Sequence, residues 1–216
     1  MIVSVQSGVF CVILQPQRMR MCASLAMNDR KLLNTELERL TPEEYTATRT
    51  GVVIVLDNVR SAHNVGSVFR TADCFKADAV WLCGITPVPP SPLIRKTALG
   101  AEEVVPFEQG EDTLETVRAL KSAGFTLVAV EQTVSSVSLE KFSPQPGRPY
   151  AYVFGNEVDG VRQEVVDACD FSLEIPQFGT KHSLNISVAA GIVLWHCLGS
   201  RYGEMENTPG PAASSF

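Results

Sequence analysis

No two of the six cysteines, Cys11, Cys22, Cys74, Cys83, Cys169 and Cys197, form a CxxC pair. The spacing of a zinc site is therefore missing. Thiols scattered through apolar runs suit burial in a reducing, cytoplasmic setting better than a disulfide framework. No apolar run approaches the ~20 residues that cross a bilayer, so no membrane attachment is expected. The apolar stretch 1–14 is followed, not preceded, by Arg18 and Arg20, the wrong order for a secretory signal. No G-x-G-x-x-G turn follows the first internal apolar run, which removes a dinucleotide-binding oxidoreductase. Internal repeats are absent as well. Positive charge is in short supply: 18 Lys and Arg stand against 24 Asp and Glu, a formal net charge of −6. Such a balance weighs against a whole-surface nucleic-acid footprint, while leaving room for a local basic face.

The 216 residues, 45% hydrophobic and 19% charged, are enough to bury one domain core. Residues 1–27 are expected to be a disordered extension, or in large part an upstream reading of the start codon. Residues 28–50 read as a short helical segment, 51–203 as the main domain, and 204–216 as a flexible tail. In 31–40, Leu32, Leu33, Leu37 and Leu40 share a helical face. Thr41-Pro42-Glu43-Glu44 then has the form of a capping box with proline at the first helical position, so a second short helix should follow.

From 52 the pattern changes. The β-branched apolar run 52–56 has the composition of a strand buried on both faces, and similar runs follow at 79–83, 125–130 and 150–154, with a weaker one at 171–175. Helix-like stretches lie between them at 65–75, 112–123 and 161–168, and a last one spans 184–198. The stretches 87–92 and 143–149 are proline-rich loops. This alternation predicts an α/β fold, a mostly parallel sheet with helices on both faces, and ligands bound at the carboxyl ends of the strands.

Three strand-to-loop junctions carry unusual residues. The first runs from Asp57 to Ala72, with Asn64 as the expected helix N-cap and Arg70 six residues on. A helix N-terminus with a guanidinium fork suits phosphate, although a cap and a surface arginine would look the same. The second is Phe154-Gly155-Asn156-Glu157-Val158-Asp159-Gly160, where glycines permit close backbone approach and Glu157 offers a carboxylate. A plain strand-turn-helix also has this form. The third, Ile175 to Gly191, places Ser183, Asn185 and Ser187 at the opening turns of a helix, where Ser and Asn are poor interior residues.

Together the junctions resemble the SpoU (TrmH) branch of the SPOUT superfamily of RNA ribose methyltransferases. The matching stretches are Asn64-x5-Arg70-Thr71-Ala72, Phe154-Gly155-Asn156-Glu157-x2-Gly160 and Ile175-Pro176-x2-Gly179-x3-Ser183-Leu184-Asn185-x-Ser187-Val188-Ala189. They stand in the family's order, and the likeness covers roughly residues 28–200. It implies a sheet whose C-terminal part forms a deep trefoil knot, and a homodimer with active sites at the subunit interface. It also implies methyl transfer from S-adenosylmethionine to a ribose 2′-hydroxyl of tRNA or rRNA, without metal. The donor would be held by Val130, Gly155, Gly160, Ile175, Pro176 and Leu184. Catalysis would fall to Arg70, with Asn64, Glu157, Ser183 and Asn185. An arginine is a poor general base because its guanidinium stays protonated, so Arg70 is expected to orient an RNA phosphate and steady the developing alkoxide. Arg60, Arg95, Lys96, Lys181 and His182, near the junctions, are the candidate RNA contacts. Residues 28–50 are expected to be too short for the separate RNA-binding domain of some fuller members, and 204–216 do not read as the strongly basic extension of others. The alternative is a catalytically silent RNA-binding member of the same fold, against which the intact Arg70, Asn64, Glu157 and Asn185 weigh.

Overall fold

Seven parallel strands lie in the order β3-β2-β1-β6-β4-β7-β5. They are β1 (Val52–Asp57), β2 (Ala79–Cys83), β3 (Phe107–Gly110), β4 (Thr126–Val130), β5 (Val137–Ser138), β6 (Tyr150–Phe154) and β7 (Phe171–Glu174). The structure is a computed structural model that describes residues 30–37 and 39–199. The expected extension 1–27 and tail 204–216 lie outside the described residues.

Each residue of β1 is buried, because its two faces serve two cores. Val52, Ile54 and Leu56 join the core under α2 (Ala62–Phe75), α3 (Pro92–Ala98) and α6 (Ile186–Gly199). Val53 and Val55 join the core under α4 (Thr113–Ser122) and α5 (Gln163–Ala168). Strand period and helix period thus meet on both sides of the sheet. The expected mostly parallel α/β architecture with helices on both faces is present.

The capping box forms: Glu44 N donates to Thr41 Oγ1 at 3.2 Å, and Thr41 N donates to the Glu44 carboxylate at 2.8 Å. It starts α1 (Pro42–Ala47), which is anchored by Tyr45, whose hydroxyl donates to the carbonyl of Ala77 at 2.8 Å.

Several sequence expectations are corrected. In place of a helix over 31–40 there is a single 3₁₀ turn, Asn34–Glu36, and Leu32, Leu33 and Leu40 are exposed. With no apolar face buried, so short a segment lacks what stabilises a helix; residue 38 lies outside the described residues. The proline-rich stretch 87–92 runs directly into α3, where Pro92 occupies a first-turn position that needs no amide. Two edge strands were not legible: β3 is largely polar and β5 has two residues. Cys83 and Cys197 are buried as expected, but Cys74 is exposed.

One register matters for the site. Leu173 of β7 pairs with Val130 of β4 on one side and with Val137 of β5 on the other. The six residues 131–136 therefore cross from one flank of β7 to the other at its carboxyl end, a span of about 10 Å for two strand spacings.

Candidate active site

At the carboxyl ends of β4, β6 and β7 lies a cleft of about 560 Å³. Three loops wall it: 131–136, 155–161 and 175–185. The second loop folds back on itself, with Asn156 N donating to Gly160 O at 3.1 Å and Gly160 N to Asn156 O at 3.2 Å. The Asn156 side chain accepts from the amides of Val158 and Asp159, both at 2.9 Å. This turn explains Gly155: a Cβ there would lie 1.9 Å from the carbonyl carbon of Gly160. Loops one and three are tied where Gln132 Nε2 donates to His182 O at 3.1 Å.

The three sequence stretches converge in one chain of hydrogen bonds. Asn185 Nδ2 donates to Asn64 Oδ1 at 3.1 Å, and Asn64 Nδ2 donates to Glu157 Oε1 at 2.8 Å. Glu157 also accepts from the backbone amides of Arg60 and Ser61, each at 3.2 Å. Partial burial pushes the Glu157 carboxyl up, but the Asn64 amide and the backbone donors outweigh it and hold it below the ordinary carboxylate range. The Asn185 side chain in turn accepts from Ser187 N at 2.9 Å, capping α6.

Two local readings change. Ser61, not Asn64, caps α2, its hydroxyl accepting from Asn64 N at 3.3 Å. Asn64 is inside the first turn, and its amide is thereby turned to Glu157 and Asn185. Ser183 and Asn185 precede α6, which begins at Ile186. The small polar residues are there because this backbone is a cleft wall ending in a cap.

Of the residues expected to hold the donor, Val130, Gly155, Gly160, Ile175 and Leu184 line the cleft; Pro176 lies between two lining residues, Ile175 and Gln177. Glu157, Ser183, Asn185 and His182 line it too. Arg70 does not. Six residues along a helix carry it about 120° away from Asn64. It is exposed beside an apolar groove between α2 and α6, lined by Thr71, Cys74, Phe75, Val188, Ile192 and Trp195. It makes no hydrogen bond or ion pair among the described residues. Among the expected RNA contacts, Lys181 is exposed on a cleft loop and Arg60 on the loop between β1 and α2, whereas Lys96 and Arg95 sit on α3, Arg95 pairing with Glu103 at 3.3 Å.

Two carboxylates at strand ends have roles that sequence reasoning did not assign. Glu131 supports the cleft floor, its carboxylate accepting from Val161 N at 3.0 Å and from Gln132 N at 2.8 Å. Asp57, fully buried, accepts from Thr113 Oγ1 at 2.6 Å, Arg162 N at 3.0 Å and Arg162 Nε at 3.3 Å. Arg162 also reaches Asp112 at 2.7 Å and holds that carboxyl below its usual range. A buried charge so paired fixes the end of the 155–161 loop to β1. An acidic residue closing an apolar strand was the visible signal, but its partner lies 105 residues away.

Residues 51–195 match the SpoU rRNA Methylase family, and the chain belongs to that family. It is 36% identical over 171 residues to the 23S rRNA (guanosine-2′-O-)-methyltransferase RlmB of Nitrosomonas europaea, covering 76% of this chain and 63% of that one. The chain spans 56–63% of the length of the RlmB relatives it matches. Among solved structures it resembles the TrmH/SpoU tRNA modifying enzyme of A. aeolicus, with TM-score 0.69, 26% identity, and 81% and 86% of the two chains covered. It also resembles an AdoMet-bound rRNA methyltransferase of Sinorhizobium meliloti, with TM-score 0.64, 27% identity, and 74% and 60% covered.

Proposed function

We propose that this chain transfers a methyl group from S-adenosylmethionine to a ribose 2′-hydroxyl of tRNA or rRNA, as a cytoplasmic homodimer. The observation that carries the reading is the Asn185–Asn64–Glu157 relay, which joins three distant stretches at the mouth of one cleft.

The cleft suits the donor. Its size falls within the range of small-ligand sites. Glu131, Glu157, Asp159 and Glu174 line it, with no lysine or arginine, which favours a cationic sulfonium and ammonium. The closely folded Gly155–Gly160 turn offers backbone groups at its wall. Gly155, Gly160, Ile175, Leu184 and Val130 would hold the donor, with Pro176 shaping the third loop. When bound, S-adenosylmethionine supplies an electrophilic methyl carbon.

The protein's own residues supply position and charge. Asn64 is fixed on both sides, by Glu157 and by Asn185, so the rim of the cleft is set before substrate arrives. Ser183 is exposed at that rim, free to meet a ribose hydroxyl. Arg70 orients an RNA phosphate and steadies the charge that develops as the 2′-oxygen loses its proton to phosphate or water. Arg60, Lys181 and His182 meet RNA around the mouth, and Arg95 and Lys96 extend the contact along α3.

A single protomer leaves Arg70 outside its own cleft, so we assign it to the cleft of a second copy. The exposed stripe Val188, Ile192 and Trp195 on α6, beside Arg70, supports an interface there. The crossing of 131–136 over the end of β7, tied by Gln132 to His182, supports a knot in which the chain after Glu174 passes through that crossing. An experimental structure in which 175–185 runs outside 131–136 would remove the knot.

The deciding experiment is calorimetric titration with S-adenosylmethionine, together with mass-spectrometric mapping of ribose methylation in RNA from cells lacking the gene. Binding of the donor and restoration of one ribose methyl by the purified protein are expected. A protein that binds no donor, or restores no methyl group, contradicts the proposal.

A further inference from the structure

The loops that wall the cleft line it with acidic side chains and also hold apolar side chains exposed to water at its rim. Val134 on the first loop is fully exposed, Val158 on the second is 72% exposed, and Phe178 on the third is 96% exposed. Phe178 is the one with an aromatic face. It is placed at the rim by its neighbours: Gln177 on one side, and His182 and Ser183 on the other, line the cleft. Between them Gly179 has open space where a side chain would be, and Thr180 and Lys181 are exposed.

Electrostatics alone serves RNA poorly here. The four lining carboxylates repel phosphate from the cleft interior; Lys181 is the one Lys or Arg on the three cleft loops, and exposed Arg60 lies on the loop between β1 and α2. Each phosphate contact adds to affinity through counterion release, and two cations add little. Single-stranded RNA offers a second handle, the flat face of an unpaired base, which stacks on an aromatic side chain whatever its sequence. A phenyl ring kept in water at the mouth of a cleft that would act on ribose provides that surface.

We propose that Phe178 stacks on an unpaired nucleobase of the RNA substrate and so holds the adjoining ribose at the mouth of the cleft. The inference rests on the methyltransferase reading above and adds a substrate class to it: an RNA whose target nucleotide lies in a single-stranded loop or end.

The test compares Phe178→Ala, Phe178→Trp and Lys181→Ala with wild type on RNA from cells lacking the gene. Alanine should lower kcat/KM for RNA by about tenfold to a hundredfold, the range for loss of one stacked base. Donor affinity, melting temperature and oligomeric state should not move, since the ring touches none of the core. Tryptophan should retain activity. The slope of log kcat/KM against log salt should be unchanged in Phe178→Ala and shallower in Lys181→Ala, because only the lysine releases a counterion. Wild-type kcat/KM in the alanine variant would overturn the proposal while leaving the methyltransferase reading intact. A loss traced to donor binding or to self-association would overturn it equally. A wild-type protein without donor binding or RNA methylation would overturn both.

Discussion

Glu157 spends its carboxylate on donors from the start of α2, which on the proposed reading makes it a positioning residue. Its folded pKa is depressed, and the clamp therefore contributes fully above the unfolded value of about 4.3 and is lost as pH falls through the lower folded value. Donor binding should hold from neutrality to about pH 5 and weaken in more acid solution. Glu157→Gln sets an amide donor among three donors, so it should lower single-turnover methylation at pH 7 and flatten that acid limb. A variant with the wild-type acid limb would show that another group sets it. Arg70 differs in kind, since it supports nothing within its own protomer. Arg70→Lys keeps the charge without the planar fork and Arg70→Ala removes both; each should cost on the order of 10²–10³ in turnover with unchanged donor affinity. Single-turnover kinetics beside calorimetry checks this, and a lysine variant at wild-type rate would take Arg70 out of the mechanism.

Two glycines show how elements are held at fixed distances. A Cβ on Gly66 of α2 would sit 2.2 Å from the carbonyl oxygen of Ile94 in α3, so the two helices touch through backbone. Gly66→Ala should cost about 1–3 kcal/mol, visible as a melting temperature lower by several degrees. A variant melting with wild type would mean that α3 yields freely. Gly155→Ala meets the backbone of Gly160 and Val161 instead, inside the turn that walls the cleft. Its effect should fall on donor binding, by at least about tenfold in calorimetry, alongside a comparable loss of stability. These two substitutions separate helix packing from cleft shape.

At the scale of the whole molecule, the separation of Arg70 from the cleft makes the dimer testable. Arg70→Ala and Asn185→Ser, the latter keeping a cap for α6, should each be nearly inactive alone. Co-expressed, they form mixed dimers in which one site carries both changes and the other neither. If Arg70 acts across a two-fold interface, a random mixture recovers about a quarter of wild-type activity. If it acts within its own protomer, every site stays defective and nothing is recovered. Trp195→Glu, on the exposed α6 stripe, should shift the protein toward monomer in sedimentation and remove activity with it.

The strands β1, β2, β4 and β6 were legible in the sequence because a strand buried on both faces must be apolar at successive positions, and composition alone records that. The capping box at Thr41 was legible for the same local reason, its two partners being three residues apart. The helix start at Ser61 was misread because Asn64 is also a good cap, and only Glu157, 93 residues on, decides which way its amide turns. The edge strands β3 and β5 left no apolar signal, since little of an edge is buried. The 31–40 stretch had helical periodicity but no surface to bury it against. For the site, the three motif stretches could be read, but their convergence could not. It depends on β1, β6 and β7 ending on the same side of one parallel sheet, a consequence of strand order. The placement of Arg70 a third of a turn away from Asn64 follows from helix geometry, yet what it faces was settled by α6 packing on α2. Sequence alone determines a property when its cause lies within a few residues; the tertiary structure decides it when partners distant in the chain compete for the same group.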